Sequence, residues 1–217
     1  MARKALKPAV WLIGSLPLVW LAHAVGVEIR QPGAALGADP GEAVVLFLGT
    51  WGIRMLLLAL AVTPLRRRLP WPDLARVRRL VGLFAFVYLC LHFVAYLGLL
   101  AGFDAATVVE DLGERPYITV GALGLLVLVP LAVTSTRGWQ RRLGRRWRGL
   151  HRLVFVAAAL GLLHLLWLTK DGYGEVLAYA GVFLLLMAER LGAWRKRHGQ
   201  SGSTILRALQ RGFSGGT

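Results

Sequence analysis

Leu150-His151-Arg152-Leu153-Val154-Phe155-Val156-Ala157-Ala158-Ala159-Leu160-Gly161-Leu162-Leu163-His164-Leu165-Leu166-Trp167-Leu168 is an apolar run broken only by two histidines and an arginine. Its length is that of an α-helix crossing the roughly 30 Å hydrocarbon core of a bilayer. Only a helix or a closed barrel satisfies its own backbone there, where no water can do so. An imidazole inside such a helix is costly to place and therefore marks a functional position.

Five comparable runs flank this one, at about 9–27, 43–63, 80–102, 117–136 and 174–191. Together they predict an all-α membrane protein, a bundle of six transmembrane helices over 9–191. An N-terminal segment (1–8) precedes it and a basic tail (192–217) follows. Trp20, Trp71, Tyr117, Trp167 and Tyr173 gather near the run ends, where amphipathic rings sit at a membrane interface. The composition agrees, with 217 residues, 56% hydrophobic, 17% charged and a mean hydropathy of +0.58. A soluble domain carries about 25% charged residues. Lys and Arg number 26 against 11 Asp and Glu, yet a chain this oily is neither disordered nor an ordinary nucleic-acid binder. A single cysteine, Cys90, excludes an internal disulfide, a zinc or iron–sulfur cluster and a CxxCH haem attachment. A cofactor must rest on histidine, carboxylate or backbone groups.

The charges sort by connection. Arg3, Lys4 and Lys7, six Arg in 64–79, six in 137–149 and six Lys/Arg in 190–217 make 21 of the 26 cations. The alternate connections hold one each, Arg30, Arg115 and Lys170, and hold or border nine of the 11 acids, Asp171 and Glu175 among them. Cation-rich connections stay in the cytoplasm, so both termini are expected there. The same arginines suit anionic lipid headgroups. Ala22-His23-Ala24 behind Arg3, Lys4 and Lys7 resembles a signal-peptide cleavage site, but the apolar stretch runs on through Val27, so the first span is expected to stay as an anchor. The Gly/Ser-rich end (199–217) is expected to be mobile, with an interfacial helix around 205–209.

Of the five histidines, His198 adds to the basic tail, and His23 lies where a carbonyl or water satisfies it. The other three form a pattern. At about 1.5 Å per residue, His92 lies roughly 18 Å along the third span and His164 roughly 21 Å along the fifth, which runs the same way. Two neutral imidazoles facing one another at one depth are the axial pair that a six-coordinate b-type haem requires. The competing explanation is two polar side chains satisfied separately. His151 lies about 20 Å below His164, a spacing for a second haem, although thirteen residues turn the helix by about 220° between them. Arg78 stands 14 residues before His92, nearly in phase, where a fourth histidine would complete a two-haem ladder. Arginine is a poor iron ligand and better suits a haem propionate or a flavin phosphate. The site at His92 and His164 is therefore complete and the one at His151 is not. Arg54, midway along the second span, needs a partner, for which a propionate or an interhelical carbonyl is expected.

A set of short motifs carries a resemblance. Leu36-Gly37-Ala38-Asp39-Pro40, Thr63-Pro64-Leu65, Arg78-Arg79-Leu80-Val81-Gly82-Leu83 and Leu91-His92 come first. Arg115-Pro116-Tyr117-Ile118-Thr119-Val120-Gly121, Thr134-Ser135-Thr136, Leu143-Gly144-Arg145-Arg146-Trp147, Leu150-His151-Arg152-Leu153-Val154 and His164 with Trp167 follow. In this order they resemble the MsrQ (YedZ) family, haem-binding membrane subunits of a bacterial protein-methionine-sulfoxide reductase system. The resemblance covers residues 9–191 and implies a ferric-reductase-like transmembrane domain in the inner membrane, carrying b-type haem. It implies electron transfer from the quinone pool or a cytosolic flavin reductase to a periplasmic molybdopterin-containing catalytic subunit. That subunit repairs oxidised methionines. An FMN is also implied, with no site for it in the sequence. His92, His151 and His164 match the family's haem histidines, whereas Arg78 departs from the two-haem ferric reductases and NADPH oxidases. No Gly-rich phosphate motif follows the sixth span, so oxidation of NAD(P)H by this chain is not expected. Two other functions fit the architecture. A stand-alone ferric or cupric reductase would use the acids Asp104, Glu110, Asp111 and Glu114; a cofactor-free transporter or assembly factor would call for repeated halves, which are not visible.

Overall fold

The computed structural model describes residues 2–69, 74–170 and 172–213. Trp71, Asp171 and the last four residues of the tail lie outside them, as do the side chains of Arg3, Lys4 and His198. The helices are α1 (Ala2–Arg30), α2 (Pro40–Arg68), α3 (Leu74–Ala95), α4 (Ala105–Glu114), α5 (Pro116–Val133), α6 (Arg137–Leu143), α7 (Arg145–Leu150), α8 (Val154–Leu168) and α9 (Gly174–Phe213). No strand occurs among the described residues.

Six stretches are long and apolar enough to cross a membrane: Leu6–Arg30, Pro40–Arg68, Val77–Leu100, Pro116–Val133, Arg145–Leu168 and Gly174–Lys196. Each overlaps one apolar run of the sequence, and most run past it because capping and charged residues prolong the helix. Asp39 accepts the Glu42 N–H at 2.9 Å and Pro40 fills the first turn, so α2 starts three residues before its apolar run. The fifth span is not one continuous α-helix. Gly144, at φ 51°, parts α6 from α7, and a 3₁₀ turn at His151–Leu153 joins α7 to α8. In the tail, α9 continues as helical backbone to Phe213 and includes 205–209, where a helix was expected.

α2 packs along α3, and α5 along α8. In a bilayer, helix pairs approach through small residues rather than through hydrophobic expulsion. A Cβ on Gly52 would lie 2.6 Å from Leu89 Cδ2, and one on Gly14 would lie 2.8 Å from the Phe84 ring. The Tyr88 hydroxyl, fully buried, donates to Gly14 O at 2.8 Å and fastens α3 to α1.

The two ends of the bundle differ chemically. One, the acidic end, holds the α1–α2 connection, α4 and the starts of α5 and α9. There Glu28 accepts backbone N–H groups of Gly33, Ala35 and Leu36 and folds the α1–α2 connection onto itself. The connection around Arg115, 103–116, is mostly α4. Asp104 caps it, accepting from Ala106 N–H (3.2 Å), Thr107 N–H (3.1 Å) and the Thr107 hydroxyl (2.8 Å). Those bonds, the Thr107 hydroxyl first, hold the Asp104 carboxyl below its ordinary range. The other end, the basic end, carries α6, α7 and the arginines around them.

Candidate functional site

His92 on α3 and His164 on α8 meet across the bundle. Their ring centroids are 6.1 Å apart and their planes cross at 78°. His92 Nδ1 lies 2.8 Å from Val45 O on α2, and His164 Nδ1 lies 2.6 Å from Tyr117 O on α5. A carbonyl only accepts, so each Nδ1 carries the proton and donates it. Each Nε2 then keeps its lone pair, the tautomer a metal ligand needs. An iron held about 2 Å from the Nε2 of two imidazoles sets their centroids roughly 6 Å apart.

Two glycines make room for the rings. A Cβ on Gly49 would lie 3.0 Å from His92 Cε1 and Nδ1, and one on Gly121 would lie 2.7 Å from His164 Nδ1. Both glycines are needed for space rather than for backbone freedom. The pair opens into a cavity of about 480 Å³ between α2, α3, α5 and α8, inside the range of roughly 300–1,000 Å³ for cofactor sites. Its deep end is Leu56, Leu128 and Ala157; its mouth lies under α4 at the acidic end. There the Tyr96 hydroxyl donates to Asp111 Oδ2 at 2.7 Å, and Arg115 Nε lies 3.2 Å from Asp111 Oδ1. The Asp111 carboxylate pushes the Arg115 guanidinium further up from its ordinary value. Among the described residues no three of His, Cys, Asp and Glu converge as a metal-ion site. A haem brings its own four equatorial nitrogens and asks the chain only for axial ligands and an apolar slot. The residues present fit it.

The family described as "Ferric reductase like transmembrane component" matches residues 48–162. A Rhodospirillum rubrum protein named "Protein-methionine-sulfoxide reductase heme-binding subunit MsrQ" is 48% identical over 198 residues, covering 90% of this chain and 92% of its own. The chain belongs to the MsrQ family. Relatives of the same name from Caulobacter vibrioides (44% over 196 residues, 90% of each chain) and Polaromonas naphthalenivorans (40% over 190 residues, 86% and 84%) are also similar throughout.

The structure of this MsrQ-family member separates the five residues singled out in the sequence. Only His92 and His164 line the cavity. His151 sits on the 3₁₀ turn, its Nε2 3.1 Å from Thr134 Oγ1. The Thr134 hydroxyl donates to Pro130 O at 2.6 Å, so it accepts from His151. Trp147 stacks on the His151 ring at 4.0 Å and donates its indole N–H to Thr134 O at 2.9 Å. Arg78, exposed near the start of α3, is within electrostatic range of His151 and, with Arg67, of Arg190. Arg54 pairs with side chains of α9. Its Nη2 lies 2.8 Å from Glu175 Oε1, its Nε donates to the Tyr179 hydroxyl at 2.7 Å, and its guanidinium lies 5.1 Å from the Trp51 ring centre. α9 begins within reach of the long Arg54 side chain and supplies it with a carboxylate. Sequence reasoning missed Gly49, Gly121 and the Tyr96–Asp111–Arg115 chain. Arg115, Tyr117 and Gly121 do all fall in the one motif Arg115-Pro116-Tyr117-Ile118-Thr119-Val120-Gly121.

Proposed function

We propose that the chain is a b-type cytochrome, the electron-transferring membrane subunit of a methionine-sulfoxide reductase system. His92 and His164 are its axial ligands. The observation that carries this is the opposed pair with both Nδ1 protons committed to backbone carbonyls, above an apolar slot. The names of the relatives supply the system. Bound haem supplies one-electron chemistry at its iron. The chain's residues do the rest: Val45 and Tyr117 carbonyls fix the tautomers, Gly49 and Gly121 admit the rings, and Leu56, Leu128 and Ala157 exclude water.

The finer pathway is part of the same proposal. Both termini face the cytoplasm of a bacterial inner membrane, with the acidic end in the periplasm. Electrons enter from the quinone pool or a cytosolic flavin reductase and leave to a periplasmic molybdopterin-containing catalytic subunit. Arg78, beside Arg190 and Arg67, is suited to an anionic group such as the phosphate of FMN. With Nε2 given to Thr134 and the ring stacked on Trp147, His151 has only Nδ1 for a second haem, and one haem per chain is the expected content. The transmembrane domain spans 9–191, followed by a basic tail.

The purified, dithionite-reduced protein should show low-spin b-type bands. His92→Ala and His164→Ala should each abolish them, while His151→Ala should retain them. Pyridine haemochrome analysis should count about one haem per chain; a count of two, halved by His151→Ala, would assign His151 to iron. Absence of low-spin haem in the wild type would remove the cytochrome reading. The acidic mouth, with Asp39, Glu42 and Asp111 lining it, favours a second function as a stand-alone ferric reductase. Reduction of ferric chelates by the isolated reduced chain, without any partner, would support that instead.

A further inference from the structure

The polarity of the cavity is one-sided. Its deep end is hydrocarbon, and its charged groups, Asp39, Glu42, Asp111 and Arg115, all stand at the mouth. A b-type haem is one-sided too, with two propionate carboxylates on one edge and hydrocarbon on the other. Three of the four charged groups at the mouth are acids that repel a propionate. Arg115 is the one cation lining the cavity among the described residues.

Arg115 is also placed for the task. It is the residue from which α5 starts, two positions before Tyr117, whose carbonyl orients His164. Its contact with Asp111 uses Nε and the Tyr117 side chain is a second partner, and a guanidinium with five N–H donors can still meet a further carboxylate. Asp111 is in turn fixed by Tyr96, one helical turn beyond His92 on α3. Tyr96 opens the π-helical turn Tyr96–Leu100, and such wide turns recur where a helix must re-aim its side chains at a site. Arg115 is thus linked through Asp111 and Tyr96 to the helical run that carries His92, and through two residues of backbone to Tyr117, whose carbonyl meets His164, while its side chain stays 56% exposed beside Asp111 and the Tyr117 side chain. Two other polar side chains nearby are committed: the Thr107 hydroxyl to Asp104, and Arg54 to Glu175 and Tyr179.

We propose that Arg115, held by Asp111 and Tyr96, is the propionate anchor of the haem between His92 and His164. It sets the orientation of the macrocycle, carboxylate edge toward the acidic end and hydrocarbon edge toward Leu56 and Leu128. The inference rests on the axial-pair function proposed above. Asp111 keeps the guanidinium at the mouth before haem arrives, and Arg115 then bridges Asp111 and a propionate.

The test compares two probes, haem b and its dimethyl ester, which keeps the iron and ring but carries no propionate charge. Full-length chain from haem-deficient cells is titrated with each and followed by the low-spin spectrum. Wild type should bind the ester about tenfold more weakly, the scale of one lost charge-assisted hydrogen-bond pair. Arg115→Gln should bind haem b no more tightly than the ester, because only the acids then face the propionates. Arg115→Lys should recover part of the preference, which separates a lost anchor from a damaged fold. The midpoint potential of the Arg115→Gln haem should fall, because removing a cation favours the ferric state. Equal wild-type affinity for the two probes, or a preference kept in Arg115→Gln, would overturn the anchor alone. Failure of wild type to form low-spin haem with either probe would overturn the axial-pair function as well.

Discussion

At the scale of single residues, the ligand pocket depends on atoms that are absent. The methyl group of an alanine at 121 would lie 2.7 Å from His164 Nδ1, where the Tyr117 hydrogen bond now runs. The ring must turn, and with it the lone pair of Nε2. Gly121→Ala should therefore lose most of the low-spin haem. Gly49→Ala, at 3.0 Å from the His92 ring, should lose less. Gly113→Ala, exposed in α4 with nothing within 4 Å of its Cβ, should retain haem fully and stabilise the helix by about 0.5–1 kcal/mol. Haem-to-protein ratios and thermal melts of the three variants check the order; equal haem loss at 113 and 121 would refute the steric account. His92 and His164 were legible in the sequence because a titratable ring in an apolar run is rare and costly. The glycines were not. Two among 26 differ from the rest only by what stands opposite them, and that is set by the pairing of α2 with α3 and α5 with α8.

At the scale of elements, the six spans could be read because length and apolarity are properties of each segment alone. The π-turn after α3, the 3₁₀ turn before α8 and α4 depend on their neighbours. α4 is ten residues long, too short to hold in water by propensity. It persists because Asp104 caps it and because Val108 packs against Tyr96 and Ala101. The same short helix roofs the cavity, so its cap bears on function. Asp104→Ala should speed amide hydrogen exchange across α4 while leaving α3 protected. The carboxyl of Asp104 is held below its ordinary range in the folded protein, so its contribution is complete above the ordinary aspartate value. It is lost as pH falls through the depressed folded value. Exchange protection in wild-type α4 should decline over that acid interval and be independent of it in Asp104→Ala. Identical pH profiles in the two proteins would exclude the cap as the source. The fifth span illustrates a different limit. An ideal helix relates His151 to His164 by a fixed turn, whereas the 3₁₀ segment at His151–Leu153 and the Thr134 bond give His151 a local role. Periodicity alone carries no trace of either.

At the scale of the whole molecule, the charge asymmetry of the sequence becomes a difference in what the charges do. At the acidic end five carboxylates hold local structure. Glu28 holds the α1–α2 connection, Asp39 and Asp104 cap helices, Asp111 holds Tyr96 and Arg115, and Glu175 holds Arg54 across to α9. At the basic end Arg66, Arg68, Arg141, Arg142, Arg145, Arg146 and Arg148 are exposed, free to meet headgroups or to resist translocation. The structural acids would fold the same way in either orientation, so it is the exposed cations that decide it. In a Cys90→Ala background, Glu110→Cys at the acidic end and Gly138→Cys at the basic end give each face one thiol. Both positions are exposed, and a Cβ at 138 meets only Thr136 Oγ1, at 3.9 Å. A membrane-impermeant maleimide applied to intact spheroplasts should label the thiol at 110 and reach the one at 138 only after lysis. The reverse pattern would place the mouth of the His92–His164 cavity, and with it Arg115, on the cytoplasmic side. Electrons would then have to leave toward the compartment from which they are proposed to come.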